Sequence, residues 1–116
     1  MELKNIHNMK LWNNPFNLIK NRTKTIEMRL NDDKRKLIKI YDTIIFTNIE
    51  TNETLEAEVI NLYKYKNFEE LYKNHDKISI GYALEEEANY TDMYQYYSSL
   101  EVDKYGTLAI EIKVVR

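Results

Sequence analysis

Three charged side chains of complementary type crowd into one short run, Lys24-Thr25-Ile26-Glu27-Met28-Arg29. In an extended strand alternate side chains share a face, so Glu27 and Arg29 are near neighbours opposite Ile26 and Met28. An arginine beside a carboxylate keeps that carboxylate ionised and presents a planar donor fork to an anionic or amide ligand. Lys24, just past a predicted helix end, can swing over the same space. On an open surface the same residues would make only an ion pair worth about 0–1 kcal/mol.

Other constellations carry less chemistry. His7 and His75 are the only histidines and form no i, i+4 or His-x-Glu arrangement, so no metal is expected. Glu85-Glu86-Glu87 reads as a solvated helix face rather than a divalent-cation site. The two glycines, Gly81 and Gly106, are too far apart to form a phosphate-cradling loop, and Ser98-Ser99 have no histidine nearby in sequence. With no cysteine, disulfides, thiolate zinc sites and cysteine nucleophiles are excluded. No cofactor is called for.

The chain has 116 residues, 43% hydrophobic and 31% charged, which predicts one globular domain over 1–116. No run approaches the ~20 apolar residues of a membrane helix and the start, MELKNIHNMK, lacks a leader-like apolar stretch, so a cytoplasmic protein is expected. The net charge of −2 is unevenly spread: residues 1–48 carry ten basic and five acidic side chains, residues 49–116 seven and fourteen. Such asymmetry can place a basic face for phosphates beside an acidic remainder. The overall balance argues against tight, non-specific binding of nucleic acid, but not against one nucleotide or a short strand. The ten tyrosines accompany abundant Asn, Ile and Lys, a bias that A/T-rich codons explain.

The elements that must position the charged run read as follows. Period-2 alternation over 6–11 predicts a first strand. Asn14-Pro15 predicts a helix start, with Asn14 as N-cap, and the helix should stop near Arg22. Lys24–Leu30 reads as a strand, then a charged turn over 31–36. Asp42–Asn48 is a buried strand, paired through a polar tip at 50–53 with Leu55–Tyr63. Asn67 caps a short helix, Gly81 breaks the chain, and Thr91 caps a helix carrying Met93, Tyr96, Tyr97 and Leu100. Gly106 ends it, and Thr107–Val115 alternates as the clearest strand. The sum is an α+β chain: a small mixed, mostly antiparallel β-barrel of about five to six strands with flanking short helices, since closing the sheet removes exposed edges.

The run R-T-K-T-I-E-M-R at Arg22–Arg29 resembles the G-x-K-x-x-E-x-R motif of the ASCH domains, which have a PUA-like β-barrel. K-I-Y-D-T-I-I-F at 39–46 resembles that family's Gly-Asp-x-Ile-x-Phe strand. M-Y-Q-Y-Y-S at 93–98 and Y-G-T-L-A-I-E-I at 105–112 resemble its closing helix and strand. The similarity runs from about residue 7 to 113. Two family glycines are replaced, by Arg22 and Tyr41, so the two turns are expected to differ slightly from the family backbone. Arg22 could also reach into the cleft.

The resemblance implies an RNA- or nucleoside-binding module. In that reading Lys24 and Arg29 meet phosphate or a base edge, and Glu27 orients them or accepts from a base amino group. Trp12, Tyr63 and Tyr97 are the candidate stacking surfaces. Alanine at Lys24 or Arg29 is then expected to weaken binding with little change in thermal stability. Some small bacterial members are amidohydrolases acting on acetylcytidine, which implies Lys24 as catalytic base or nucleophile, helped by a threonine three residues on and a distal glutamate. Here the threonine position is Glu27, whose carboxylate favours the ammonium form of Lys24, a poor nucleophile; Glu85, Glu86 or Glu87 could supply the distal carboxylate. Other members are ribonucleases, a chemistry that nothing in this sequence selects. A protein-interaction module using the acidic second half is a further alternative.

Overall fold

The computed structural model describes residues 4–115; residues 1–3 and 116, the ends of the expected 1–116 domain, lie outside the described residues. Five strands form one sheet: β1 (Ile6–Leu11), β2 (Ile26–Leu30), β3 (Thr43–Asn48), β4 (Thr54–Tyr65) and β5 (Thr107–Val114), in the order β1-β3-β4-β5-β2. β1 runs parallel to β3, and every other pairing is antiparallel. The sheet curls into a half-barrel whose edges are β1 and β2. These edges meet through a side chain: Arg29 on β2 donates from Nη2 to the Lys10 carbonyl on β1 at 3.0 Å.

Both faces of the sheet are covered, which explains why β2 is buried on both sides. Its Glu27 and Arg29 register with Ile110 and Leu108 of β5, on the inner face. That face shares a core with Phe16, Ile19, Ile44, Phe46 and Val59. Ile26, Met28 and Leu30 lie on the outer face with Phe68, Leu71, Met93 and Val102. The helices that cover it are short: α2 (Phe68–Asn74), α3 (Ser99–Tyr105) and a 3-10 turn at Tyr90–Gln95, while α1 (Asn13–Lys20) closes onto β3. Among the described residues no helix is long and apolar enough to cross a membrane.

Three local expectations are corrected. The first helix starts at Asn13 with Trp12 as N-cap, not Asn14; the Glu50 carboxylate from the β3–β4 turn accepts the Asn13 N–H at 3.0 Å, a tertiary cap invisible to a local reading. Pro15 then sits third in the helix, where its missing N–H costs nothing because the first four have no helical partner. The single helix expected from Thr91 is two pieces: the 3-10 turn, capped by Asn89, and α3, begun by a capping box of Ser98 and Glu101. Leu100, expected on the buried stripe, is 79% exposed.

The turns at the two replaced glycines stand out in the backbone. Both take the left-handed backbone, with φ of 69° at Arg22 and 78° at Tyr41. Such a conformation costs a side-chain-bearing residue roughly 1–2 kcal/mol. Arg22 closes the end of α1, donating its N–H to Ile19 O at 3.0 Å while Thr23 N–H reaches Leu18 O.

Asp42 organises the start of β3. Its buried carboxylate accepts from the Asn5 N–H at 3.2 Å, the Lys39 N–H at 2.9 Å and the His7 ring at 2.8 Å. Burial alone would raise its pKa, but the His7 hydrogen bond and then the two backbone donors outweigh it and hold the group below its usual 3.8. Asp42→Asn is therefore expected to cost about 1–3 kcal/mol, read as a lower urea midpoint at unchanged m-value. The loss should be full above pH 3.8 and shrink as pH falls through the depressed native value, because protonation then removes the same contacts from the wild type. An unchanged midpoint at neutral pH would show that these donors do not need this carboxylate.

Candidate functional site

The seam between the sheet edges opens into a cavity of about 670 Å³, within the range that holds a nucleoside-sized ligand. Lys10 and Leu11 of β1 and Trp12, Pro15 and Leu18 at α1 form one side. Glu27, Met28 and Arg29 of β2 lie between the walls with Lys24. Tyr72, Ile80-Gly81-Tyr82, Glu86 and the segment carrying Asp92, Met93, Gln95, Tyr96 and Tyr97 form the other side.

Lys24 is held at the mouth of β2 by its N–H to Leu18 O, after which the Thr25 and Ile26 N–H groups both turn to Ser79 O. Its side chain is only 6% exposed. Nζ donates to the Ile80 carbonyl at 3.0 Å and pairs with Glu27 Oε1 at 3.3 Å. The approach depends on Gly81: a Cβ there would sit 3.2 Å from Lys24 Cδ, and φ of +113° is one that side-chain-bearing residues rarely adopt.

Glu27 takes Arg29 on its other oxygen, Nε to Oε2 at 2.8 Å. Desolvation pushes the Glu27 pKa up, yet the charges of Arg29 and then Lys24, with hydrogen bonds from both, bring it below its usual 4.5. For Arg29, burial works against the charged form and the Glu27 carboxylate reverses it, so the guanidinium stays firmly protonated. The cluster is thus a buried carboxylate between two cations, with one net positive charge. Lys24 spends two of its three donors and Arg29 two of its five on the contacts just given, which leaves one and three for an acceptor-bearing ligand. This geometry makes Lys24→Ala and Arg29→Ala different tests of stability. Arg29→Ala removes the cation that takes Glu27 Oε2 and reaches the Lys10 carbonyl and is expected to lower Tm clearly, whereas Lys24→Ala leaves Glu27 paired with Arg29 and is expected to cost less.

Of the residues singled out from sequence, Lys24, Glu27, Arg29, Trp12 and Tyr97 line this one cavity. Trp12 is 57% exposed at its rim. Tyr97 is stacked on Phe68, with ring centroids 5.8 Å apart and planes 15° from parallel. Burial raises the Tyr97 phenol pKa, against the opposing charge of Arg29. Tyr63 lies elsewhere: its hydroxyl donates to Glu111 Oε1 at 2.8 Å, and its ring meets the edge of His75. Arg22 is exposed and does not line the cavity. Glu86 alone of the three consecutive glutamates does, accepting the Ala83 N–H at 2.7 Å.

Sequence reasoning missed a hydrogen-bonded chain on the far wall. Tyr72 and Tyr82 hydroxyls are 2.9 Å apart, and Tyr82 reaches Asp92 Oδ2 at 2.7 Å. Burial, reinforced by Tyr82, drives the Tyr72 phenol pKa far up, so it remains a neutral donor. Three residues ten positions apart have no local signature; only the packing of α2 against the 3-10 turn brings them together. Among the described residues no group of three or more His, Cys, Asp or Glu side chains could hold a metal ion.

A curled, mostly antiparallel half-barrel with short covering helices, its open seam floored by a Lys-x-x-Glu-x-Arg cluster, defines the class. The ASCH domain profile matches residues 9–116, and the chain belongs to the ASCH domain family. Two solved structures are similar over nearly their whole length. The hypothetical protein PH0355 is 31% identical, with 95% of this chain and 99% of that one covered at a TM-score of 0.80. Protein PF0455 from Pyrococcus furiosus is 30% identical, with coverage of 96% and 98% and a TM-score of 0.72. An ASCH domain from Lactobacillus crispatus, at 14% identity, TM-score 0.60 and coverage of 93% and 79%, shares the fold. No curated protein matches the chain.

Proposed function

We propose that the cavity binds a nucleoside unit, free or as part of RNA. The observation that carries this reading is the buried Lys24–Glu27–Arg29 cluster, one positive charge in excess and with donors to spare, at the floor of an aromatic-lined cavity. Its cationic donors suit base carbonyl oxygens or a phosphate, the spare lone pairs of Glu27 suit a base amino group, and Trp12, Tyr96 and Tyr97 offer ring faces. The test is calorimetric titration and thermal melting with the four common ribonucleosides and their 5′-monophosphates. At least one is expected to bind and raise Tm. Trp12→Ala, at an exposed position, is expected to weaken it about 5- to 100-fold with the fold intact. Absence of binding across the panel would remove the reading.

A second reading, an amidohydrolase of acetylated cytidine-type nucleosides, draws on the presence of Glu86 in the same cavity as Lys24. Against it stands the engagement of Lys24 Nζ, which is already taken up by Glu27 Oε1 at 3.3 Å and the Ile80 carbonyl at 3.0 Å. Acetate release by the wild type, lost in Lys24→Ala, would establish it.

A further inference from the structure

Two stretches of surface each carry charge of one sign. Residues 34–41 hold Lys34, Arg35, Lys36 and Lys39 and no acidic side chain. Of these four cations only Arg35 is paired, with Asp32 at 3.0 Å, and the three lysines are exposed. Residues 83–103 hold six acidic side chains, Glu85, Glu86, Glu87, Asp92, Glu101 and Asp103, and no lysine or arginine. All six are exposed, and among the described residues none forms an ion pair. Lys77 reaches this second stretch only to donate to the Leu84 and Glu86 carbonyls, at 2.8 and 2.5 Å.

Both stretches also present large apolar side chains to solvent. Leu37, Ile40 and Tyr41 are exposed in the first, and Leu84, Tyr94, Tyr96 and Leu100 in the second. Together they hold seven of the twelve exposed large hydrophobic side chains among the described residues, a clustering that marks an interaction surface. The two stretches border each other. Asn31 N–H donates to Gly106 O at 3.0 Å, so the chain leaves β2 for the basic stretch beside the end of α3, which carries Leu100, Glu101 and Asp103. Arg35 is also near enough to Tyr97 for its charge to act on the phenol.

This adjacency selects the occupant. A polyanion or an anionic membrane would suit the lysines, but it would meet six carboxylates beside them. A basic protein would suit the carboxylates and meet the lysines. A second copy of the chain carries both signs in the same arrangement. We infer that the protein forms a dimer about a two-fold axis at the border of the stretches, the 34–41 surface of each copy lying against the 83–103 surface of the other. Such a contact is isologous and closes on itself. The exposed apolar side chains supply its buried area, and the opposed charges set partner and register. Because Asp92 and Tyr96 also line the cavity, each copy brings its lysines to the mouth of the other's site. The inference is independent of what the cavity binds.

The test is sedimentation velocity of the wild type across micromolar concentrations, at low and at high salt. A dimer is expected, and it should weaken as salt shortens the reach of its charges, to about 3 Å at 1 M. Lys36→Glu with Lys39→Glu is expected to raise the dissociation constant about 10-fold or more, and so is Glu85→Lys with Glu87→Lys. Glu86, which lines the cavity, is left in place. All four positions are exposed, so Tm should move little in either double variant. An equimolar mixture of the two double variants should recover the dimer, because both contacts then join opposite charges again. Damage to the fold would not be repaired by mixing. A wild type that stays monomeric throughout overturns the proposal, whether or not its lysines bind single-stranded RNA or phosphatidylserine vesicles instead. A dimer untouched by either charge reversal, or a mixture that stays monomeric, overturns it as well.

Discussion

Glu27→Gln is expected to remove about 3–5 kcal/mol of stability, on the order of 10–20 °C in Tm, from a domain whose total is about 5–15 kcal/mol. The side chains of Lys24 and Arg29 are 6% and 14% exposed, and the variant leaves both cations facing each other without the carboxylate that neutralises them. The pH dependence has a definite sign. The native pKa of Glu27 lies below its usual 4.5, so its contribution is complete above about pH 4.5 and is lost as pH falls through the lowered value. Wild type and Glu27→Gln should therefore differ most near neutrality and converge in acid. Asp42, also depressed, adds to the same acid limb in both proteins. The companion variant replaces the whole cluster, Lys24→Met with Glu27→Leu and Arg29→Met. Apolar side chains of similar volume should recover most of the stability while ligand binding stays abolished. A triple variant as unstable as Glu27→Gln would mean that the fold needs the charges themselves.

Gly106→Ala is expected to cost about 3 kcal/mol, read as a fall in the urea midpoint. Gly106 ends α3 at φ 71° and ψ −172°, a region open essentially to glycine alone. Its missing Cβ would lie 2.9 Å from the Tyr65 carbonyl, a backbone atom of β4 that cannot swing aside. The same residue accepts the Asn31 N–H at 3.0 Å. The joint thus sets β5 between β4 and β2, and with β2 the position of Glu27 and Arg29. A midpoint within about 0.5 kcal/mol of wild type would show that the turn relaxes freely.

Much of the architecture was legible because it rests on local periodicity. β5 alternates Leu108, Ile110 and Ile112 against Glu111 and Lys113, and Asn67 announces α2 by accepting the Glu70 N–H at 2.9 Å. The helix expected from Thr91 failed for a nameable reason. The spacing of Met93, Tyr96, Tyr97 and Leu100 suits a helix, but Ser98 with Glu101 forms a second start signal that resets the chain. That signal was present in the sequence. The cap of α1 by Glu50 was not, since its donor and acceptor stand 37 residues apart.

The sequence by itself determined most of the strands and helices, the α+β barrel-like class, the resemblance to ASCH domains and the charged motif of Lys24, Glu27 and Arg29. Each follows from short-range spacing: period 2 in strands, capping residues at helix starts, three charges within six residues. Tertiary structure alone decided that Lys24 and Glu27 are buried, that Arg29 reaches the Lys10 carbonyl across the seam, and that Tyr72, Tyr82 and Asp92 join the far wall. It also placed Tyr63 beside His75, away from the cavity. These outcomes depend on how a curled sheet brings its first and second strands together, and such closure is set by the packing of distant elements rather than by the residues next to them in the chain.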